Sequence, residues 1–256
     1  MVHCAATDHR YTWIVVLGFF SAFFAAFGIG ANDVANAFAT SVGSKALTVK
    51  QACAIAVVFE FAGATFLGGQ VVKTIRKGIA DQSLFEDDPA LLMWGCLCVI
   101  TCVGIWLLLA SYLEMPVSTT HSCVGGMVGM AIAAYGWDAV IWYKETEEFP
   151  FTKGFSAVVI SWFISPIFSG LLSAGLFLLI RTFVLRSPNS FNRAVLIYPF
   201  LVCLCVWIVA LFMLMKGIKS SDWVKEQTTE TKVGISFAIG AGCAILGIPA
   251  YIYGKQ

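Results

Sequence analysis

Hydrophobic positions in this chain fall into seven long blocks, roughly 13–31, 52–72, 91–112, 116–135, 156–180, 194–216 and 233–253. Each is close to the ~20 residues that a helix needs to cross a hydrocarbon core. The pattern predicts an all-α membrane protein of about seven membrane segments. Charge collects between the blocks, as KTIRKGIADQSLFEDDP from residue 73, GWDAVIWYKETEEFPFTKGF at 136–155 and GIKSSDWVKEQTTETK at 217–232. No connection is long enough to fold as a separate soluble unit, so residues 1–256 are expected to form a single membrane domain.

The fourth block breaks the pattern. Only Leu113, Glu114 and Met115 separate it from the third, and it opens PVSTTH before running into Gly125, Gly126 and Gly129. Glycines and hydroxyls suit a lipid-facing helix poorly. Irregular backbone at membrane depth is tolerated where protein buries it or a watery cavity meets it. A re-entrant helical hairpin over 113–135 is therefore expected within the domain.

Composition agrees with the blocks. Hydrophobic residues make up 59% and charged residues 12% of the chain, half the ~25% charge of a soluble domain. That excludes a water-covered globule. A net charge of +1 without a basic stripe leaves nothing to track nucleic acid. Eight of the nine cysteines lie in apolar runs, where a free thiol packs as a small hydrophobe; neither a disulfide framework nor a metal cluster is expected. MVHCAATDHRYTW lacks a basic stretch and a small-residue cleavage site ahead of the first block, so no removable signal peptide is expected. The connections 38–50 and 181–193 carry Lys45, Lys50, Arg181, Arg186 and Arg193, and we read their side, with the C-terminus, as inside and the N-terminus as outside.

Three acids escape the connections and the tail: Asp33, Glu60 and Glu114. Glu114 ends a block and can reach the interface. Asp33 and Glu60 cannot, and an acid at mid-helix costs roughly 2.5–3.5 kcal/mol on insertion scales. Apart from Lys216 at the very end of the sixth block, no Lys or Arg lies in the apolar runs to neutralise them, so a bound cation or proton is the economical counter-charge. In GIGANDVANAFATSVGS, Gly28, Asn32, Asn36 and Thr40 recur every four residues along one helical face, with Asp33 about 100° round. Gly30 is expected to let the backbone unwind there. Asn32, Asp33 and Asn36 would then offer oxygens to a hard cation such as sodium. Glu60 stands near Gly63, Gly68 and Gly69, which predicts that it faces the protein interior.

The stretch PVSTTH has complementary chemistry. With Pro116 in the first turn of a helix, Ser118, Thr119 and Thr120 add hydroxyls to unpaired N–H groups at the positive end of the dipole. Such a site suits an oxyanion, phosphate or sulfate, with His121 in a supporting role. The chain shows no convergent base and nucleophile, and His121 is its only membrane-embedded histidine; an enzyme is not expected, nor any cofactor besides a coupling ion.

GANDVAN, FEFAGATFLGG followed by TIRKGI, PVSTTHSCVG and SWFISPIFSG stand in one order along the chain, and together they resemble the inorganic phosphate transporter (PiT) family, sodium- or proton-coupled carriers of orthophosphate. The resemblance implies two inverted repeats, each with an Asn-Asp segment and a Ser/Thr hairpin, phosphate and sodium bound between them, and a homodimer in the plasma membrane. It assigns phosphate to Ser118, Thr119 and Thr120 with Asn32, and the coupling ion to Asp33, Asn36 and Glu60. Neither signature recurs in GISFAIGAGCAILGIPAYIYGKQ. The chain therefore resembles one repeat, the N-terminal half: a fragment, a piece of a split carrier, or a half that pairs with another chain. The alternatives to phosphate symport are a sulfate permease and a non-transporting, phosphate-sensing or interaction subunit.

Overall fold

A computed structural model of the chain describes residues 9–145, 152–217 and 222–253. They are mostly helical: α1 Thr12–Gly43, α2 Val49–Ile79, α3 Pro89–Tyr112, α4 Thr119–Tyr135, α5 Phe155–Ile180, α6 Ser190–Phe212, the short α7 Asp222–Glu226, and α8 Thr229–Tyr253. One antiparallel pair, β1 Lys144–Glu145 with β2 Thr152–Lys153, precedes α5. Helices occupy all seven apolar blocks. Five are long and apolar enough to cross a membrane: α1, residues 49–69 of α2, α3, α5 extended to Leu185, and α6 extended to Met215.

Local chemistry fixes the helix ends. Thr48 and Gln51 form a reciprocal capping box at the start of α2, and Asp88 caps α3 through the Leu91 N–H ahead of Pro89. The end of α3 reverses through a six-to-one bond from the Met115 N–H to the Ala110 carbonyl and a second from Glu114 to Ser111. That motif needs a left-handed residue after the helix; Glu114 takes it, at φ 57.

The chain divides into two compact units, one of residues 1–63 and 71–159 and one of residues 64–70 and 160–256. In the first, α1 and α3 run parallel. Trp13 meets Trp94, the hydroxyls of Ser21 and Thr101 lie 3.0 Å apart, and Asn32 reaches Ser111. The seam on α1 is Ile14, Gly18, Ser21, Ala25, Gly28 and Asn32, alternating steps of four and three, the ~3.5-residue period that keeps one helix face on its partner. Small residues let the backbones close: a Cβ at Gly104 would stand 2.7 Å from a ring carbon of Phe24 and 3.2 Å from the Ala25 Cα. Close approach through such residues is how membrane helices gain contact without a hydrophobic drive.

α4 folds back along α3, so that Gly126 sits on Val99 and Gly95 on Met130. Its lower end joins a small core of Ile79, Ala80, Val124, Met127, Ala131, Ala139 and Val140. There the backbone of 79–81 pairs with that of 139–141. Beside it the Ser83 hydroxyl and N–H hold the Asp81 carboxyl below its ordinary pKa. In the second unit α6 and α8 pack antiparallel, Gly240 against the Cys203 carbonyl and Trp207, with Trp207 edge-on to Phe237 at 5.6 Å.

Two expectations need correction. α1 does not unwind at Gly30; it is one helix of 32 residues through the whole Asn-Asp segment. A single glycine costs a helix only about 1 kcal/mol, and the seam on α3 holds this one straight. Pro116 is not in the first turn of α4, which begins at Thr119 with Ser118 as its cap.

Candidate functional site

The seam of α1 ends in polar residues at the level where α3 ends. Asn32, 5% exposed, points at the connection 113–118. Its Nδ2 donates to the Met115 carbonyl at 2.9 Å and toward the Ser111 hydroxyl at 3.4 Å. Its Oδ1 accepts from the Val117 N–H at 3.2 Å and from Nδ2 of Asn36 at 3.3 Å. A side-chain amide has two donors and two acceptor positions, and all are engaged. Donation to a carbonyl together with acceptance from an N–H allows this amide only one orientation.

Asp33, half-buried, accepts a hydrogen bond from the Thr119 hydroxyl at 3.1 Å. Among the described residues no cationic side chain pairs with it. Thr119 is the first residue of α4; the preceding Ser118 turns its own hydroxyl oxygen to the His121 N–H at 3.4 Å, and its carbonyl accepts from Ser122. Of the N–H groups expected to be free here, those of Val117 and His121 are therefore taken. Ser118, Thr120 and His121 are exposed.

The structure thus brings Asn32 and Asn36 onto the connection at Met115 and Val117, and the adjacent Asp33 onto Thr119; Ser118 bonds within α4, to the His121 N–H and Ser122, and Thr120 and His121 follow on the same turn. It does not bring Glu60 in. That acid is exposed on α2, between the exposed Phe59 and Phe61, and no hydrogen bond joins it to Asp33 or Asn36 among the described residues; the expectation that it faces the interior of this chain does not hold here. Because α1 is unbroken, its backbone carbonyls are spent in the helix. Any oxygen offered to a cation here would have to come from a side chain. Sequence reasoning missed Ser111, the Met115 carbonyl and the Val117 N–H. Only Ser111 had a signal, a hydroxyl in the last turn of an apolar helix. An apolar cavity of 580 Å³ between residues 30–43 of α1 and the start of α2 is lined by none of the site residues.

Comparisons with known proteins point the same way. Residues 29–245 match the model of the phosphate transporter family. The chain is 35% identical over 238 residues to a phosphate-repressible phosphate permease of Neurospora crassa, covering 93% of this chain and 39% of that one. It is 39% identical over 190 residues to sodium-dependent phosphate transporter 1 of Mus musculus, covering 73% and 26%, and 38% identical over 202 residues to a sodium-dependent phosphate transporter of Plasmodium falciparum, covering 79% and 29%. A solved structure, the sodium-dependent phosphate transporter, superposes with a TM-score of 0.79 at 33% identity over 94% of this chain and 55% of that one. The chain spans well under half the length of these curated relatives.

Proposed function

The chain belongs to the phosphate transporter family, and on that premise we propose that it is one repeat of a carrier that moves inorganic phosphate across a membrane together with a cation, sodium in preference to protons. It is a multi-pass membrane protein, and its relatives are transporters, which move a solute without transforming it. The observation that carries the reading is the hydrogen bond from Thr119 to Asp33. It joins an acid without a cationic partner among the described residues to the hydroxyl-rich start of a helix, the two halves of a coupled site.

Phosphate carries at least one negative charge into a medium of low dielectric, where isolated charges are costly. A cation at Asp33, with Asn36 beside it and Glu60 brought in by the assembled carrier, offsets that charge. Phosphate then lies against the hydroxyls of Ser118, Thr119 and Thr120 and the N–H groups of the first turn of α4, with His121 in support. A threonine hydroxyl owns one hydrogen and two lone pairs. With no cation present Thr119 gives that hydrogen to Asp33; a cation on Asp33 draws the oxygen lone pair instead and turns the hydrogen outward to phosphate. Sodium suits the amide oxygen of Asn36, which coordinates a metal but does not relay a proton.

In the assembled carrier this repeat meets an inverted second one, on the same chain or another, and the whole is a homodimer in the plasma membrane. α4, 17 residues or about 26 Å long, serves as the returning arm of a re-entrant hairpin with the connection 113–118 at its tip.

The test is tracer phosphate uptake into vesicles carrying the assembled protein, with sodium or choline outside. Uptake at least severalfold higher in sodium is expected. Equal uptake in both that follows a pH gradient would reassign the coupling ion to the proton. Full competition by sulfate would make it a sulfate permease, and phosphate binding without flux a sensing subunit.

A further inference from the structure

We propose that Asn32 is a positioning residue, a latch that ties α1 to the connection ahead of α4, and that it is not a phosphate ligand. The inference deepens the proposed function, since what the latch presents is the Thr119 side of that site.

The amide has nothing left to give a ligand. Both hydrogens and both lone-pair positions of Asn32 are engaged at 2.9–3.4 Å within the chain, and the residue is 5% exposed. Phosphate could reach it only by taking a hydrogen from the Met115 carbonyl or from Ser111. The part-buried Met115 carbonyl would lose its partner, which costs free energy, so displacement opposes binding.

The same bonds have a clear structural task. The connection 113–118 lacks helical bonds of its own beyond the turn that closes α3, and Pro116 has no N–H to contribute. Its carbonyl at Met115 and its N–H at Val117 flank that proline, and both go to the one amide of Asn32. Two backbone groups facing one side-chain amide fix position and direction together. Thr119 follows two residues later, so its 3.1 Å approach to Asp33, the neighbour of Asn32 on α1, is set by this latch. Asn36 braces the amide from one turn along, and Ser111, bonded to the Leu107 carbonyl at 2.8 Å, braces it from α3. One residue thereby registers α1, α3 and the start of α4.

Hydrogen exchange read by mass spectrometry on the full chain in lipid nanodiscs tests the latch without reference to transport. Wild type is expected to protect the Val117 amide, which has no other acceptor among the described residues. Asn32→Ala should raise its exchange on the order of tenfold, as loss of this part-buried hydrogen bond implies, while amides inside α1 and α3 stay protected. Should Asn32→Ala fail to insert, Asn32→Asp keeps the oxygen that Val117 uses and loses the donor to Met115; it is expected to protect Val117 within a few fold of wild type. Unchanged protection in Asn32→Ala, or full loss of it in Asn32→Asp with α1 and α3 intact, overturns the latch. Function supplies the second readout. Phosphate and sodium apparent affinities should fall together in Asn32→Ala, whereas a ligand role predicts loss of phosphate affinity alone. An unprotected Val117 in wild type removes the latch and leaves the transport reading standing; absence of sodium-dependent uptake with Val117 protected does the reverse.

Discussion

The Thr119 hydroxyl donates to the Asp33 carboxylate at 3.1 Å, across a sequence separation of 86 residues. If that hydrogen is what a cation redirects toward phosphate, sodium and phosphate must help each other bind, by equal factors in both directions. Thr119→Val keeps the shape and removes the hydroxyl. Sodium stimulation of phosphate binding should drop on the order of tenfold, a lost charge-assisted hydrogen bond, with sodium-independent binding little changed. Thr119→Ser should restore it. Tracer phosphate binding across a sodium series checks both, and full stimulation in Thr119→Val would remove the hydroxyl from the coupling.

Asp33 and Glu60 divide differently from the way their shared character suggests. Asp33→Asn preserves the outline and deletes the charge. Sodium-coupled uptake should fall to background while the protein still reaches the membrane, because Thr119 can still find an amide oxygen. Glu60→Gln should also lose sodium coupling if the assembled carrier brings Glu60 to the site. Normal uptake in that variant, with Asp33→Asn inactive, would leave Glu60 a role in packing alone. Surface biotinylation beside the uptake assay separates loss of activity from loss of protein.

Gly104 bears on the site from a distance. Any Cβ there presses on Phe24 and on the Ala25 backbone, and the ring of Phe24 can move aside but the backbone cannot. Gly104→Val should destabilise the α1–α3 pair by about 1–3 kcal/mol, the usual cost of overpacking, and lower the thermal transition in detergent. It should also loosen Asn32 from Ser111, which lies two turns further along the same seam. Gly18→Ala, with open space around it, is the control and should leave the transition unchanged or raise it slightly, since alanine is the better helix former.

Much of this was legible in the sequence, and the exceptions share a cause. The apolar blocks became helices because length and hydropathy suffice to specify a helix that lipid or other helices surround. Of the residues carrying unusual chemistry, Asp33 and Thr119 meet directly and Asn32 holds the connection just ahead of them, while among the described residues no hydrogen bond ties Ser118 or Thr120 to Asn32, Asp33 or Asn36. The partners of Asn32 were not legible, since two of them are backbone groups of Met115 and Val117 and carry no side-chain signal. The parallel register of α1 on α3 was hidden too; it rests on where glycines of one helix meet side chains of the other, which spacing within either helix alone does not reveal. Gly30 misled because a glycine before an Asn-Asp pair suits both an unwound helix and a straight one. Packing chose the straight one.

Glu114 supplies a prediction about stability. It adopts φ 57 where glycine is the natural occupant, and a residue with a Cβ gives up roughly 1 kcal/mol or more there. Glu114→Gly should therefore raise the thermal transition of the purified chain if the carboxylate has no other task. A fall in stability, or lost uptake at unchanged stability, would show that the acid itself is used.

The last prediction concerns what covers this chain. Glu60 sits exposed in an apolar stretch of α2, and a Cβ at Gly30, Gly63, Gly68 or Gly69 would meet nothing within 4 Å. An acid facing lipid costs a few kcal/mol by insertion scales, a sizeable part of a protein's net stability. Small residues on an open face also forfeit the close packing that favours them between membrane helices. In a carrier of inverted repeats the partner repeat lies over such faces, and alternating access comes from one element moving against the other. Residues 1–256 reconstituted alone are accordingly expected to transport no phosphate, and to gain sodium-dependent uptake when a second repeat is supplied from another chain. Proteoliposome uptake, with the oligomeric state measured by light scattering on the same preparation, decides it. Robust uptake by the 256-residue chain running as a monomer would mean that its own residues close the site, with Glu60 and the open glycines facing lipid at a cost the fold can bear.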